Sequence, residues 1–190
     1  MGIPSYFKHI ITEYRQIIKE KKNILINNNL FIDSNSIIYD SVLQLKNDLN
    51  KETKIPSSKE FEKKILDHVV IKLSKYINDL KPTDLVYIAF DGVAPCAKLH
   101  QQRTRRHKSN LEKKIFEQLD LPVDKLWNTS AITPGTEFMN KLDIFINKKL
   151  DNKKLGVKNI IISGPNLPGE GEHKIFDYIR NNDQLKNKNN

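Results

Sequence analysis

The chain has one cysteine, Cys96, one tryptophan, Trp127, and two methionines in 190 residues. One cysteine cannot close an internal disulfide, so the chain fits a reducing intracellular compartment, cytoplasmic or nuclear. The same count excludes a zinc site built on several thiolates. No apolar run approaches the roughly 20 residues of a spanning helix, and the opening residues do not read as a signal peptide. The start Met1-Gly2-Ile3-Pro4-Ser5-Tyr6 places Tyr6 where N-myristoylation asks for Ser or Thr. Acidic residues are also scarce: 23 Asp and Glu against 32 Lys and Arg leave a net charge of +9, with a pI near 9.4. That balance favours nucleic acid as partner over a membrane.

The length suits one domain with a sizeable core. Apolar residues at helical spacing predict helices over 5–20, 36–50, 59–80, 94–119, 134–150 and 169–180, with Thr133 and Pro134 as N-cap and first-turn proline of the fifth. Short apolar runs predict strands over 30–33, 85–90 and 157–163. Asn27-Asn28-Asn29 reads as a turn, 51–58 as a loop, and 181–190 as a polar, disordered tail after a domain spanning 1–180. Strands alternating with helices predict an α/β fold whose parallel sheet is covered on both faces. Ligands of such sheets sit beyond the carboxyl ends of the strands.

Four acids fall at those ends. Asp33 follows Leu30-Phe31-Ile32, Asp91 follows the 85–90 run, and Glu170 and Glu172 stand one glycine apart after Ile160-Ile161-Ile162. Carboxylates gathered there suit a hard divalent cation such as Mg²⁺. Each acid alone has a plainer reading. An aspartate after a strand caps the next helix, a glutamate favours a first helical turn, and Glu170 can pair with Lys174 at i, i+4. Taken together, the four favour a metal site. Glu170 and Glu172 can share it only where the chain is not yet regular helix, because residues two apart on a helix face different ways.

A second constellation follows Asp91. Residues 98–114 hold seven Lys or Arg and one acid, most of the excess positive charge. On a helix, Lys98, Gln102, Arg105 and Arg106 share one face. Arginine forks, a lysine charge and a glutamine amide suit a terminal phosphate. Metal-binding acids beside a phosphate pocket specify hydrolysis of a phosphodiester near a phosphorylated end. Trp127 reads as packing. His9, His68 and His107 read as isolated, and His173, with no second histidine near, does not read as a zinc ligand.

Six ordered blocks resemble the amino-terminal nuclease region of the Xrn-type 5′→3′ exoribonucleases, relatives of flap endonucleases with a PIN-like core. They are Met1-Gly2-Ile3-Pro4, Leu30-Phe31-Ile32-Asp33-Ser34-Asn35, Phe90-Asp91-Gly92-Val93-Ala94-Pro95, Gln101-Gln102-Arg103-Thr104-Arg105-Arg106, Thr133-Pro134-Gly135-Thr136-Glu137-Phe138-Met139 and Pro168-Gly169-Glu170-Gly171-Glu172-His173-Lys174. The resemblance implies that Asp33, Asp91, Glu170 and Glu172 bind catalytic Mg²⁺ or Mn²⁺. It implies that Lys98, Gln102, Arg105 and Arg106 hold the 5′-monophosphate of RNA, which a cap or triphosphate would not fit. It also implies processive RNA degradation to mononucleotides, a role in mRNA decay, and an amino terminus packed near the active region. Tyr39 stands where the family has a base-stacking histidine and is an expected RNA contact, as is Arg103. Cys96 stands where the family commonly has arginine.

Family members continue into a strand bearing an Asp-x-Asp pair, whereas here only Asp183 follows Arg180. The expectation is therefore a core truncated at its carboxyl side, awaiting a continuation or a partner protein. The alternatives to an exoribonuclease are a truncated or degenerate copy that grips 5′-phosphorylated RNA without cutting, and a flap-type DNA nuclease.

Overall fold

The computed structural model describes residues 5–17, 28–49, 56–121, 126–182 and 185. The opening block 1–4, the end of the helix predicted over 5–20, most of the loop predicted over 51–58 and most of the tail lie outside them. The described chain runs α1 (Tyr6–Glu13), a 3₁₀ turn (Arg15–Ile17), β1 (Asn29–Asp33), α2 (Asn35–Leu49), α3 (Ser58–Leu80), β2 (Leu85–Ala89) and α4 (Cys96–Gln118). A 3₁₀ turn (Thr129–Ala131), α5 (Glu137–Lys149), α6 (Asn152–Leu155), β3 (Asn159–Ser163) and α7 (Gly171–Asn181) follow.

The strands form one parallel sheet in the order β1-β2-β3, so the α/β reading holds. Asp33, Ala89 and Ser163 share the last register row. The alternation of strand side chains divides the apolar runs between two faces. Leu30, Ile32, Val86, Ile88, Ile160 and Ile162 face a core filled from α2, α3 and α5. Phe31 and Tyr87 face the other way, toward α7, where the Tyr87 ring lies 4.5 Å from that of Tyr178. With helices on both faces, the central strand β2 is buried along its whole length.

The long helix α3 carries its core contacts on one stripe: Phe61, Ile65, Val69, Leu73 and Ile77 are fully buried. A capping box starts it, with Ser57 and Glu60 satisfying each other's backbone N–H. Lys81 ends it in the left-handed conformation just before Pro82. Trp127 is buried edge-on against Phe138, as core packing.

Five predicted boundaries need correction: the fourth helix begins at Cys96 rather than Ala94, the third strand at Asn159 rather than Val157, and three further helix ends differ. The first helix stops at Glu13 and tightens into a 3₁₀ turn, because no residue of α1 is buried against the core. The fifth helix begins at Glu137 rather than Pro134. Thr136 is its N-cap, accepting the N–H of Met139, whereas the Thr133 hydroxyl donates to Ser130 O and the Thr133 carbonyl closes a turn with the Thr136 N–H. The last helix begins at Gly171 rather than Gly169, because residues 164–170 are held as a loop. The one-turn helix α6 has no periodicity to betray it; Asp151 caps it by accepting the N–H groups of Lys153 and Lys154. Among the described residues no helix is long and apolar enough to cross a membrane.

One comparison checks this core. Leu142 is fully buried and Ile144, on the same helix, is 70% exposed. Leu142→Ala is expected to cost about 3 kcal/mol and Ile144→Ala no more than about 0.5 kcal/mol, read from urea midpoints with the transition slope unchanged.

Candidate functional site

The acids converge on one glycine. Gly171 stands between Glu170 and Glu172 at the start of α7, and its N–H donates to Asp91 Oδ1 at 2.7 Å. A methyl group on Gly171 would lie 2.4 Å from Asp33 Oδ1, so the carboxyl of Asp33 rests where any larger residue would put its Cβ. Glu170 is the N-cap residue of α7 and has extended backbone (φ −81°, ψ 158°). The chain is therefore not yet helical at Glu170, and the two glutamates are free of the helical rule that would send them apart.

The plainer readings of the acids are met in part. The Asn35 N–H, at the start of α2, lies near enough to Asp33 to favour its charge. Asp91 caps α7 rather than the helix that follows it. Glu170 makes no cap hydrogen bond; its buried carboxylate takes the ammonium of Lys98 at 2.5 Å. Lys174 does not pair with Glu170. Its buried Nζ donates to the carbonyls of Phe90 and Gly164, each at 2.7 Å. Burial holds the pKa of Lys174 below the usual lysine range, while Asp91 and Asp143 favour its charge.

Sequence reasoning missed Asn35. Its side chain closes a two-bond clamp on Asp91, with Nδ2 donating to Asp91 Oδ2 at 2.7 Å and Oδ1 accepting the Asp91 N–H at 3.1 Å. The clamp joins the carboxyl ends of β1 and β2. The loops after β2 and β3 are laced in the same way: Gly92 N–H donates to Gly169 O at 2.8 Å and Gly169 N–H to Val93 O at 3.0 Å. A Cβ on Gly92 would collide with the Leu167 carbonyl, so glycine is required for this approach.

Electrostatics records the crowding. The pKa of Asp33 lies above the usual carboxylate value, first because burial disfavours the charge and then because Asp91, Glu172 and Glu170 repel it; the Asn35 N–H opposes the shift. Each of the other three acids is thus close enough to act on Asp33. Carboxylate oxygens suit a hard divalent cation, and among the described residues Glu170 and Glu172 fall in a three-residue ligand group whereas Asp33 and Asp91 do not. Among the described residues, Glu170, Glu172 and His173 have ligand atoms within 4.8 Å of one another, with His173 Nδ1 3.7 Å from Glu170 Oε2. His173 thus stands beside the acids without the second nitrogen ligand a zinc site would favour.

The basic helix borders an open cleft of about 380 Å³. Gln102, Arg105, Arg106 and Ser109 line it from α4, with Tyr39 and Asn35 from α2 and Asp91 beside them. Thr129, Ser130, Thr133 and Pro134 line it as well. Lys98 and Arg103 are not among these walls. Lys98, one turn before Gln102, is committed to Glu170, and Arg103 is exposed elsewhere on the helix. Asp91 is the acid common to the cleft and the carboxylate cluster. In the sequence Thr133 and Pro134 read only as the start of a helix, and Thr129 and Ser130 carried no signal; their place beside the cleft depends on long-range packing.

Comparison with known proteins gives a consistent result. The model of the family described as the XRN 5'-3' exonuclease N-terminus matches residues 1–190. The 5'-3' exoribonuclease 1 of Saccharomyces cerevisiae is 35% identical over 193 residues, covering 95% of this chain and 12% of the yeast protein. The human 5'-3' exoribonuclease 1 is 36% identical over 195 residues, with 95% and 11% covered. The 5'-3' exoribonuclease 2 of Candida glabrata is 33% identical over 222 residues, with 95% and 21% covered. The chain therefore spans about a tenth to a fifth of the length of these relatives.

Two outcomes follow from the crowding at Gly171. Gly171→Ala is expected to weaken Mn²⁺ binding by about tenfold or more, measured by calorimetry, with the circular dichroism of the folded chain unchanged. Asp33→Asn is expected to raise the stability of the chain in EDTA at pH 7. A raised folded pKa means that the favourable contribution of Asp33 is complete below its unfolded pKa and is lost as pH rises through the folded value. The difference between variant and parent should therefore close as the pH of the urea titration falls below 3.8.

Proposed function

This chain belongs to the XRN 5'-3' exonuclease N-terminal family, and from that premise we propose that it carries the nuclease centre of a divalent-metal-dependent 5′→3′ exoribonuclease acting on RNA with a 5′-monophosphate. The observation that carries the reading is the shared cleft: Asp91, from the acid cluster, and Arg105 and Arg106, from the basic helix, line the same cavity. A phosphorylated end held by the arginines would thus lie beside the acids, which is the proximity a terminal cleavage needs.

Asp33, Asp91, Glu170 and Glu172 are the proposed holders of Mg²⁺ or Mn²⁺. When bound, the metal supplies an activated water and stabilises charge developing on phosphorus. The rest falls to the chain's own groups. Arg105 and Arg106 offer guanidinium forks to the 5′-phosphate, and Gln102 adds a neutral donor. Tyr39, 44% exposed at the cleft, offers a ring for the first base. Lys98 neutralises Glu170 at the junction of the two regions.

Hydrolysis places the water oxygen on the phosphorus that links the first and second nucleotides, and the bond to the first nucleotide's O3′ breaks. The mononucleotide leaves with a 3′-hydroxyl, and the shortened RNA keeps the phosphate as its new 5′ end. Every turnover so regenerates the group that the basic cleft recognises, which is the chemical basis for processive degradation.

The test is digestion of a 5′-monophosphate RNA oligonucleotide, with a 5′-hydroxyl RNA and a DNA of the same sequence as competitors. Mg²⁺-dependent mononucleotide release, abolished by EDTA, is the expected result. Asp91→Ala is expected to lower kcat by at least about 100-fold with RNA binding retained. Arg105→Ala with Arg106→Ala is expected to reduce the preference for monophosphate over hydroxyl ends by about tenfold or more. Equal affinity of the parent chain for both ends would sink the phosphate assignment. RNA binding without cleavage would mark a binding module, and preference for DNA a flap-type nuclease.

A further inference from the structure

We propose that Lys174 is a positioning residue of this centre: its buried ammonium joins the carboxyl ends of β2 and β3 and so sets the spacing of the acids, an inference that rests on the metal-nuclease reading for its functional meaning. The sheet ladder gives out where the acids begin. Ala89 and Ser163 form the last register pair of β2 and β3, and the Phe90 N–H bond to Ser163 O, at 2.9 Å, is the last of the strand ladder before the loops. The next two carbonyls, of Phe90 and Gly164, both receive Lys174 Nζ at 2.7 Å.

These carbonyls hold decisive places. Phe90 immediately precedes Asp91. Gly164 opens the loop that leads to Glu170, Gly171 and Glu172. Lys174 itself lies one turn into α7, and its backbone N–H donates to Glu170 O at 3.0 Å. One side chain therefore spans the three segments that carry three of the four acids. An ammonium has three donors and no acceptor, so it can replace a missing ladder bond between two carbonyls, which no apolar side chain can do.

Burying an ammonium is costly without partners. At 7% exposure, Lys174 is among the few buried charged residues described. An apolar residue would fill the space without that cost, so packing alone does not account for a lysine here. What the ammonium adds is a fixed distance between two strand ends and a positive charge beneath a group of repelling carboxylates.

The experiment compares Lys174→Met, which keeps length and loses donors and charge, with Lys174→Gln, which keeps two N–H donors on a side chain one bond shorter. Amide hydrogen exchange is read in EDTA, without RNA. In Lys174→Met the N–H groups of Gly92, Gly169 and Gly171 are expected to exchange at least about tenfold faster, the scale of a lost hydrogen bond to a charged group. Those of Val86 and Ile88 should keep parental protection, and Lys174→Gln should fall between Met and Lys. The Mn²⁺ concentration giving half-maximal thermal stabilisation is expected to rise by about tenfold in Lys174→Met.

Unchanged exchange at the three glycines would overturn the proposal. So would a uniform rise across β2, or failure of both variants to fold, since the lysine would then serve the fold as a whole. The exchange measurement involves neither metal nor RNA, so its outcome is separate from whether the chain cuts RNA.

Discussion

Repulsion among Asp33, Asp91, Glu170 and Glu172 is the constraint around which the carboxyl end of the sheet is organised. Like charges at short range must be offset by fixed dipoles and cations, or they take up protons instead. The chain supplies both. The Gly171 N–H and the Asn35 amide fix the two oxygens of Asp91, Lys98 meets Glu170, and Lys174 lies beneath the loops. Burial and then repulsion from the other acids raise the pKa of Asp33 above its usual value.

The same contacts explain why the fold places chemistry where it does. A parallel sheet brings every strand to its carboxyl end on one side, and each loop there starts from a buried, fixed point. β2 is the best fixed of the three, buried along its length, and Asp91, the acid shared by cluster and cleft, follows it. The clamp from Asn35 and the reciprocal bonds of Gly92 and Gly169 bind the loops of β1 and β3 to that strand. The arrangement puts the fully buried central strand under the acid shared by cluster and cleft.

Much of this was legible in the residue order. The runs 30–32, 85–90 and 160–162 announced three strands, and the acids after them announced a common end. The phase of Gln102, Arg105 and Arg106 on one helix announced a shared face. Other parts were illegible for physical reasons. Whether Lys98 serves a phosphate or a carboxylate depends on which anion lies within reach, and local phase is silent on that. The wall formed by Thr129, Ser130, Thr133 and Pro134 has no periodicity, because a loop's position is fixed by what packs beneath it. Asn35 looked like the polar start of a helix. Its partner is 56 positions away, so its role emerged only with the sheet.

The basic helix α4 buries none of its residues, although it is 23 residues long. Mechanically it is a beam supported near its base, where Lys98 meets Glu170. Arg105 sits nine residues from the first residue of the beam, about 14 Å along the axis. A tilt of about 5° at the base would carry its guanidinium roughly 1 Å sideways, a third of a hydrogen-bond length. The spacing between Arg105 and Arg106 and the acids would thus depend on how stiffly the base of α4 is held, and the Lys98–Glu170 contact is a pivot through which a load on the arginines would reach the carboxylates.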